Sequence, residues 1–161
     1  MALYGDHVLP CLTHLAMSNR RLIEYRRRMV SQARGRVLET GIGSGLNLPF
    51  YGGQVASVYG IDPSAALLRR AGRLPAIRAE LAEASAEIIP FDHNVFDTVV
   101  TTWTLCTIPQ VISALREMRR VLRQDGRLLF VEHGLAPDRG IASRCFCAAH
   151  SCNFNKLAIV W

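Results

Sequence analysis

The segment Glu39-Thr40-Gly41-Ile42-Gly43-Ser44-Gly45 constrains this chain more than any other. It follows a short apolar run, Arg36-Val37-Leu38, that reads as a strand. Glycines at alternate positions let the backbone turn sharply as it leaves the strand, and let a ligand approach the main chain with no Cβ in the way. A second apolar run, Val55 to Ile61, closes on Asp62-Pro63-Ser64, with Pro63 suited to the first turn of a helix. A glycine cluster alone would mean only a tight strand-to-helix turn. Strand, glycine loop, second strand and terminal acid together point to a nucleoside site at the carboxyl edge of a parallel sheet. Asp62 is placed there to accept hydrogen bonds from a pair of ribose hydroxyls.

The rest of the pattern agrees with such a sheet. Phe96-Asp97-Thr98-Val99-Val100-Thr101-Thr102 is strand material rich in β-branched residues. Pro109 to Leu122 reads as an amphipathic helix with Val111, Ile112, Leu115, Met118 and Leu122 as its stripe, and Asp125-Gly126 turns into a strand over Arg127 to Glu132. A third strand belongs between Ala76 and Ala86, although Arg78-Ala79-Glu80-Leu81 is poor strand material. From His7 to Ala33 the spacing of Leu12, Leu15 and Ala16, then Leu22, Tyr25 and Met29, predicts two helices or one broken helix. Apolar strands alternating with helices predict a Rossmann-like α/β fold, a doubly wound parallel sheet with helices on both faces. The chain divides into a helical segment (1–35), a cofactor-binding core (36–140) and an atypical tail (141–161).

At 161 residues, half of them hydrophobic and a fifth charged, the chain is sized and composed for one globular domain. Seven arginines against Asp6 and Glu24 put a net +5 within residues 1–36, out of +6 overall. Such a run is usually a solvated helix face; the alternative is peripheral contact with an anionic membrane. No nucleic-acid motif accompanies the charge, so nucleic acid is not an expected partner. The first residues lack the basic start and apolar stretch of a signal peptide, and no apolar run reaches the roughly 18–20 residues of a membrane span. The expectation is a cytoplasmic protein, with a membrane-peripheral alternative. Five cysteines, an odd number, argue against a disulfide framework.

The loop chemistry selects among nucleoside cofactors. A dinucleotide fingerprint needs a small residue where Leu46 stands, and a phosphate loop needs a lysine after the glycines. Glu39, just ahead of the glycines, would repel a pyrophosphate and suit a cation. S-adenosylmethionine carries an ammonium, a sulfonium and no phosphate, and so fits this charge logic. An NAD-type oxidoreductase stays as a competing reading that Leu46 and Glu39 oppose.

The chain resembles the class I S-adenosylmethionine-dependent methyltransferases, and among them the group of ubiquinone/menaquinone-biosynthesis and phosphatidylethanolamine N-methyltransferases. The resemblance rests on Glu39 to Gly45, Gly60-Ile61-Asp62-Pro63-Ser64, Ser85-Ala86-Glu87 with Ile89-Pro90-Phe91, Phe96 to Cys106, and Arg119 to Leu129. It implies that Glu39 and the loop at Gly41, Gly43 and Gly45 hold the methionine end and that Asp62 holds the ribose. Ser85 and Ala86 would meet the adenine, while Thr101 and Thr102 would line the floor near the methyl group. His133, after the fifth strand, is a candidate general base or substrate contact, with strand-end capping as its plainer role. The Asn/Asp-Pro-Pro-Tyr sequence of amino-methylating nucleic-acid enzymes is absent, which favours a small-molecule or lipid acceptor.

Beyond Pro137-Asp138 the resemblance stops. The family continues into a closing pair of strands that complete a seven-stranded sheet; here Cys145, Cys147, His150 and Cys152 crowd one short stretch in no zinc pattern. No metal is expected. The expectation is instead a truncated or frame-shifted end, a sheet lacking its last strands, and a second functional reading: an impaired remnant that only binds the cofactor.

Overall fold

The computed structural model describes residues 9–74, 79–132 and 157–159. Two helices lead in, α1 (Leu9–Met17) and α2 (Arg20–Val30), so the broken-helix expectation holds. The break falls at Ser18-Asn19, where the Asn19 side chain accepts from the Arg21 N–H and caps α2. There follow β1 (Gly35–Thr40), β2 (Val55–Asp62), α3 (Ala65–Ala71), β3 (Ala79–Glu83), β4 (Phe96–Thr102), α4 (Val111–Val121), β5 (Leu122–Val131) and β6 (Leu157–Ile159). Single 3-10 turns occupy Leu48–Phe50 and Leu105–Thr107.

The sheet order is β3-β2-β1-β4-β5-β6. The first five strands are parallel and β6 is antiparallel to β5. Strand order reverses at β1, which pairs with β2 on one side and β4 on the other, so the glycine loop leaves the sheet at the topological switch point.

Successive β1 side chains point to opposite faces, and each face carries its own core. Val37, Val58, Val100 and Leu129 pack under α2 with Leu22, Met29 and Val30. Leu38, Ile61, Val99 and Phe96 pack under α4 with Ala114, Met118 and Val121. The buried face of α4 is rotated from the expected stripe: Ile112 is 57% exposed, and Ala114, which is small and lets the helix approach the sheet, takes the core position.

The third strand is found where it was expected, and two local readings change. β3 forms despite its weak composition because it is an edge strand, where only one ladder is needed and Glu80 and Glu83 face outward at little cost. The expected turn at Asp125-Gly126 lies inside β5: Leu122 pairs with Phe96, the ladder resumes at Arg127 opposite Thr98, and the residues between bulge out. The edge of β5, expected bare, pairs with Leu157–Ile159 through Leu129, Phe130 and Val131, as an unpaired apolar edge favours. His133, Cys145, Cys147, His150 and Cys152 lie outside the described residues. Among those described, no group of His, Cys, Asp and Glu is arranged to hold a metal, and no helix is long and apolar enough to cross a membrane.

Candidate functional site

A cavity of about 560 Å³ opens at the carboxyl ends of β1, β2 and β4, within the size range of small-molecule sites. Its floor is the loop after β1. Gly41 has φ +67°, and a Cβ there would overlap the Thr104 side chain, so a larger residue is excluded both by backbone conformation and by space. Gly43 differs: its φ is +55°, but a Cβ would meet nothing closer than the Gly41 carbonyl at 4.0 Å. The main chain there faces open space that a ligand can occupy.

Asp62 closes the β2 side. One carboxylate oxygen accepts from the Gly43 N–H (2.9 Å) and the other from the Ser64 N–H (2.8 Å), so the acid and the glycine loop fix one another. Each oxygen keeps a further lone pair for a ligand hydroxyl. Burial raises the Asp62 pKa, and the two N–H donors work against that rise. Beyond it, Ala84, Ser85 and Ala86 line the wall next to β3, with the Ser85 hydroxyl accepting from the Glu87 N–H at 3.1 Å.

The β4 side is built from residues far apart in sequence. Arg26 of α2 is only 4% exposed. Its Nη1 donates to Asn47 Oδ1 (2.6 Å) and to Thr102 Oγ1 (3.4 Å), and its Nη2 donates to the Met17 carbonyl (3.2 Å). Asn47 in turn donates to Glu39 Oε1 (2.7 Å) and Thr102 Oγ1 (3.0 Å), and the Tyr51 hydroxyl donates to Glu39 Oε2 (2.6 Å). Asn47 thus presents oxygen to the guanidinium and nitrogen to the carboxylate, the only orientation that satisfies both. Burial raises Glu39 to about 7, opposed by the Tyr51 and Asn47 hydrogen bonds and by the Arg26 charge. Burial lowers Arg26 to about 10, opposed by Glu39, and lifts the Tyr51 hydroxyl well above its ordinary value.

Trp103 follows β4 with φ 51°, a conformation that costs a bulky residue of order 1–3 kcal/mol. The turn is held from β5: the Val131 carbonyl accepts from Trp103 N–H (2.7 Å), and Glu132 accepts from the N–H groups of Thr104 (2.8 Å) and Leu105 (2.9 Å). The indole lies against the Arg26 guanidinium, 4.7 Å from ring centroid to Cζ. Over the loop, α1 contributes His14, whose Nδ1 shares a 2.7 Å hydrogen bond with Ser44 Oγ.

Of the residues expected from sequence, Gly41, Gly43, Asp62, Ser85, Ala86 and Thr102 line this one cavity. Glu39, Gly45 and Thr101 do not. Glu39 is 1% exposed, behind the loop, with its oxygens committed to Asn47 and Tyr51. Gly45 faces Leu48, Leu74 and Ala71 and makes room for packing. Thr101 is fully buried on the sheet. Sequence reasoning missed His14, Met17, Arg26 and Ser44 at the cavity, and Asn47 and Tyr51 behind it. A signal for Arg26 did exist: it falls at i+4 from Leu22 and i−3 from Met29, on the buried stripe of α2.

Comparison with known proteins agrees with this architecture. Residues 38–130 match the family described as "Methyltransferase domain". The chain is 39% identical over 112 residues to a phosphatidylethanolamine N-methyltransferase of Cereibacter sphaeroides, covering 66% of this chain and 54% of that protein. It is 42% identical over 67 residues to the ubiquinone/menaquinone biosynthesis C-methyltransferase of Hahella chejuensis, covering 42% of this chain and 26% of that one. The chain therefore spans about half or less of the length of these relatives. Among solved structures, a SAM-dependent methyltransferase from Aquifex aeolicus superposes with a TM-score of 0.67 at 20% identity, covering 81% of this chain and 76% of that one.

Proposed function

The chain belongs to the methyltransferase-domain family, and from that footing we propose that it transfers a methyl group from S-adenosylmethionine to a small-molecule or lipid acceptor. S-adenosylmethionine is the cofactor implied by the family, and the residues present fit it. Gly43 leaves open space above the main chain, and Asp62 keeps lone pairs for two hydroxyls. The observation that carries the reading is this convergence of Gly41, Gly43, Asp62, Ser85, Ala86 and Thr102 on one cavity at the switch point.

When bound, the cofactor supplies a methyl group made electrophilic by the adjoining sulfonium. The chain's own contribution is position. Asp62 would accept from the ribose hydroxyls, Ser85 and Ala86 would flank the adenine, and the loop at Gly41 and Gly43 would carry the methionine end, with the Glu39 charge behind it. Thr102 would line the cavity at the end of β4, while Thr101 is buried on the sheet away from it. Holding two reactants in attack geometry contributes up to about 7–11 kcal/mol, so no dedicated nucleophile is required. His133 is the proposed acceptor-side base.

An apolar or lipid-like acceptor is favoured by the apolar character of Met17, Leu46, Trp103, Ile108 and Pro109 among the residues that line the cavity. The name of the Cereibacter relative points the same way. A peripheral approach to an anionic membrane is supported by exposed Leu12 and Leu15 on α1 and exposed Arg20, Arg21, Arg27 and Arg28 on α2. Glu24 pairs with Arg27 and Arg28, which tempers that charge. We propose a cytoplasmic enzyme on these grounds, with no nucleic-acid partner.

Calorimetric titration with S-adenosylhomocysteine, followed by labelled methyl transfer to candidate lipid and quinone-like acceptors, tests the proposal. Micromolar binding with transfer is the expected result. Binding without transfer to any acceptor would favour the cofactor-binding remnant, and binding of NAD instead would overturn the cofactor.

A further inference from the structure

The wall of the cavity at the end of β4 is held by a residue that does not line it. Trp103, Thr104 and Cys106 through Pro109 form that wall, and Glu132, which follows β5, holds it from outside the cavity. Its Oε1 accepts from the N–H groups of Thr104 (2.8 Å) and Leu105 (2.9 Å). With the Cys106 N–H, these donors oppose the rise in pKa that burial imposes on the carboxyl. Successive backbone N–H groups turned toward one oxygen make an anion-binding concavity. Here the chain supplies its own anion. Oε2 is buried with no partner among the described residues, so one oxygen carries the contact.

That contact bears on the cavity in two directions. Trp103 keeps φ 51°, where a bulky residue is strained, and a turn released from Glu132 would relax toward ordinary backbone. The indole, buried and 4.7 Å from the Arg26 Cζ, would be displaced with it. On the other side, the Thr104 side chain fills the space that a Cβ on Gly41 would take, so the same turn bears on the glycine loop. Thr104 Oγ1 donates to the Thr102 carbonyl (3.0 Å) and Thr107 Oγ1 to the Thr104 carbonyl (2.7 Å), which braces the segment as a unit.

We propose that Glu132 is a positioning residue for methyl transfer, which sets the β4 wall against the glycine loop and keeps Trp103 over Arg26. The inference rests on the methyltransferase reading above. The position requires an accepting oxygen at the tip of a side chain of this length, and the charge strengthens the bonds that oxygen makes. Glu132 touches no ligand in this role; it acts through the backbone of the turn.

The test replaces Glu132 in a Trp161→Phe background, which leaves Trp103 as the one tryptophan of the chain. Fluorescence emission then reports the turn, and calorimetric titration with S-adenosylhomocysteine reports the cavity. Both are measured at a temperature where circular dichroism shows each variant folded. Glu132→Ala should move the Trp103 emission to longer wavelength and weaken S-adenosylhomocysteine binding roughly tenfold, the equivalent of one lost hydrogen bond to a charged group. Glu132→Gln keeps an accepting oxygen and gives up only the unpartnered one. It should restore the emission and bring affinity within about threefold of the parent. Unchanged emission or unchanged affinity in Glu132→Ala would overturn the proposal, as would a glutamine variant that behaves like the alanine one. If Glu132→Ala does not fold, Glu132→Asp, which withdraws the oxygen by one methylene, is read against the same outcomes. A folded parent that binds no S-adenosylhomocysteine would instead overturn the cofactor reading, and the emission shift with its glutamine rescue would still decide whether Glu132 holds the wall.

Discussion

The two sides of the cavity are built by opposite means. On the β2 side, one carboxylate is tied to backbone N–H groups of the loops it touches, and the whole arrangement spans Gly41 to Ser64. On the β4 side, Arg26, Glu39, Asn47, Tyr51 and Thr102 arrive from α2, β1, the loop after it and β4. Apart from Arg26 Nε, which is buried with no hydrogen-bond partner among the described residues, they satisfy one another almost without solvent. The first side is a local motif with lone pairs left for a ligand. The second is a buried polar network, in which each member depends on the others and removal of one leaves a charge or donor stranded.

That contrast is broken most strongly at Asn47. Asn47→Leu removes the bridge between guanidinium and carboxylate and should lower unfolding free energy by about 3–5 kcal/mol in urea titrations, because two buried charged groups each lose a hydrogen bond worth about 1.5–3 kcal/mol. A loss below about 1 kcal/mol would mean that the network adds little to the fold. Asp62→Ala should do the reverse. S-adenosylhomocysteine affinity should fall roughly 100-fold or more while stability drops by only about 1 kcal/mol, the two backbone N–H groups turning to water. Retained affinity would remove Asp62 from the site.

The network should also make stability depend on pH. Glu39 titrates in the folded state at about 7, above its unfolded value of 4.5, so the native chain holds a proton that the unfolded chain has lost. Stability is then highest at or below about pH 4.5, falls as pH rises toward 7, and levels off above, by up to about 3 kcal/mol. Asp62 and Glu132, both raised by burial, add in the same direction. Asp97 and Glu117 are held low by hydrogen bonds and nearby arginines; stability from them is lost only under more acidic conditions. Denaturation midpoints from pH 5 to 8 should slope downward in wild type and distinctly less in Glu39→Gln; an identical slope in both would clear Glu39 of the effect.

The smallest effect is expected at Ser85→Ala. The hydroxyl accepts one hydrogen bond from Glu87 at an exposed turn, so stability should change by about 0.5 kcal/mol or less. Loss of more than tenfold in S-adenosylhomocysteine affinity would give Ser85 a larger part in the cavity wall than its geometry suggests.

Legibility follows the same division. β1, β2 and β4 were readable because central parallel strands are continuously apolar, and Gly41, Gly43 and Asp62 were readable because their partners lie within one strand-loop-strand unit. β3 was faint because an edge strand needs only half the burial. Ile112 was misplaced on α4 because helical spacing permits neighbouring stripes, and only contact with the sheet chooses between them. Glu39 was legible as a conspicuous acid beside the loop, but its withdrawal behind the loop depends on Tyr51 and Asn47, neither of which carries a motif.

By itself, then, the sequence determined the parallel sheet, the loop at its switch point and the acid that closes the β2 side of the cavity, because each is encoded by residues close together along the chain. Tertiary structure alone decided that an arginine in a basic helix would be buried beside Trp103, and that Asn47 would orient it against Glu39. It also gave the expected turn in β5 the form of a bulge. The physical reason is range. Backbone conformation and strand burial are local properties, whereas the fate of a buried charge is set by whichever distant partners the fold brings within hydrogen-bond reach.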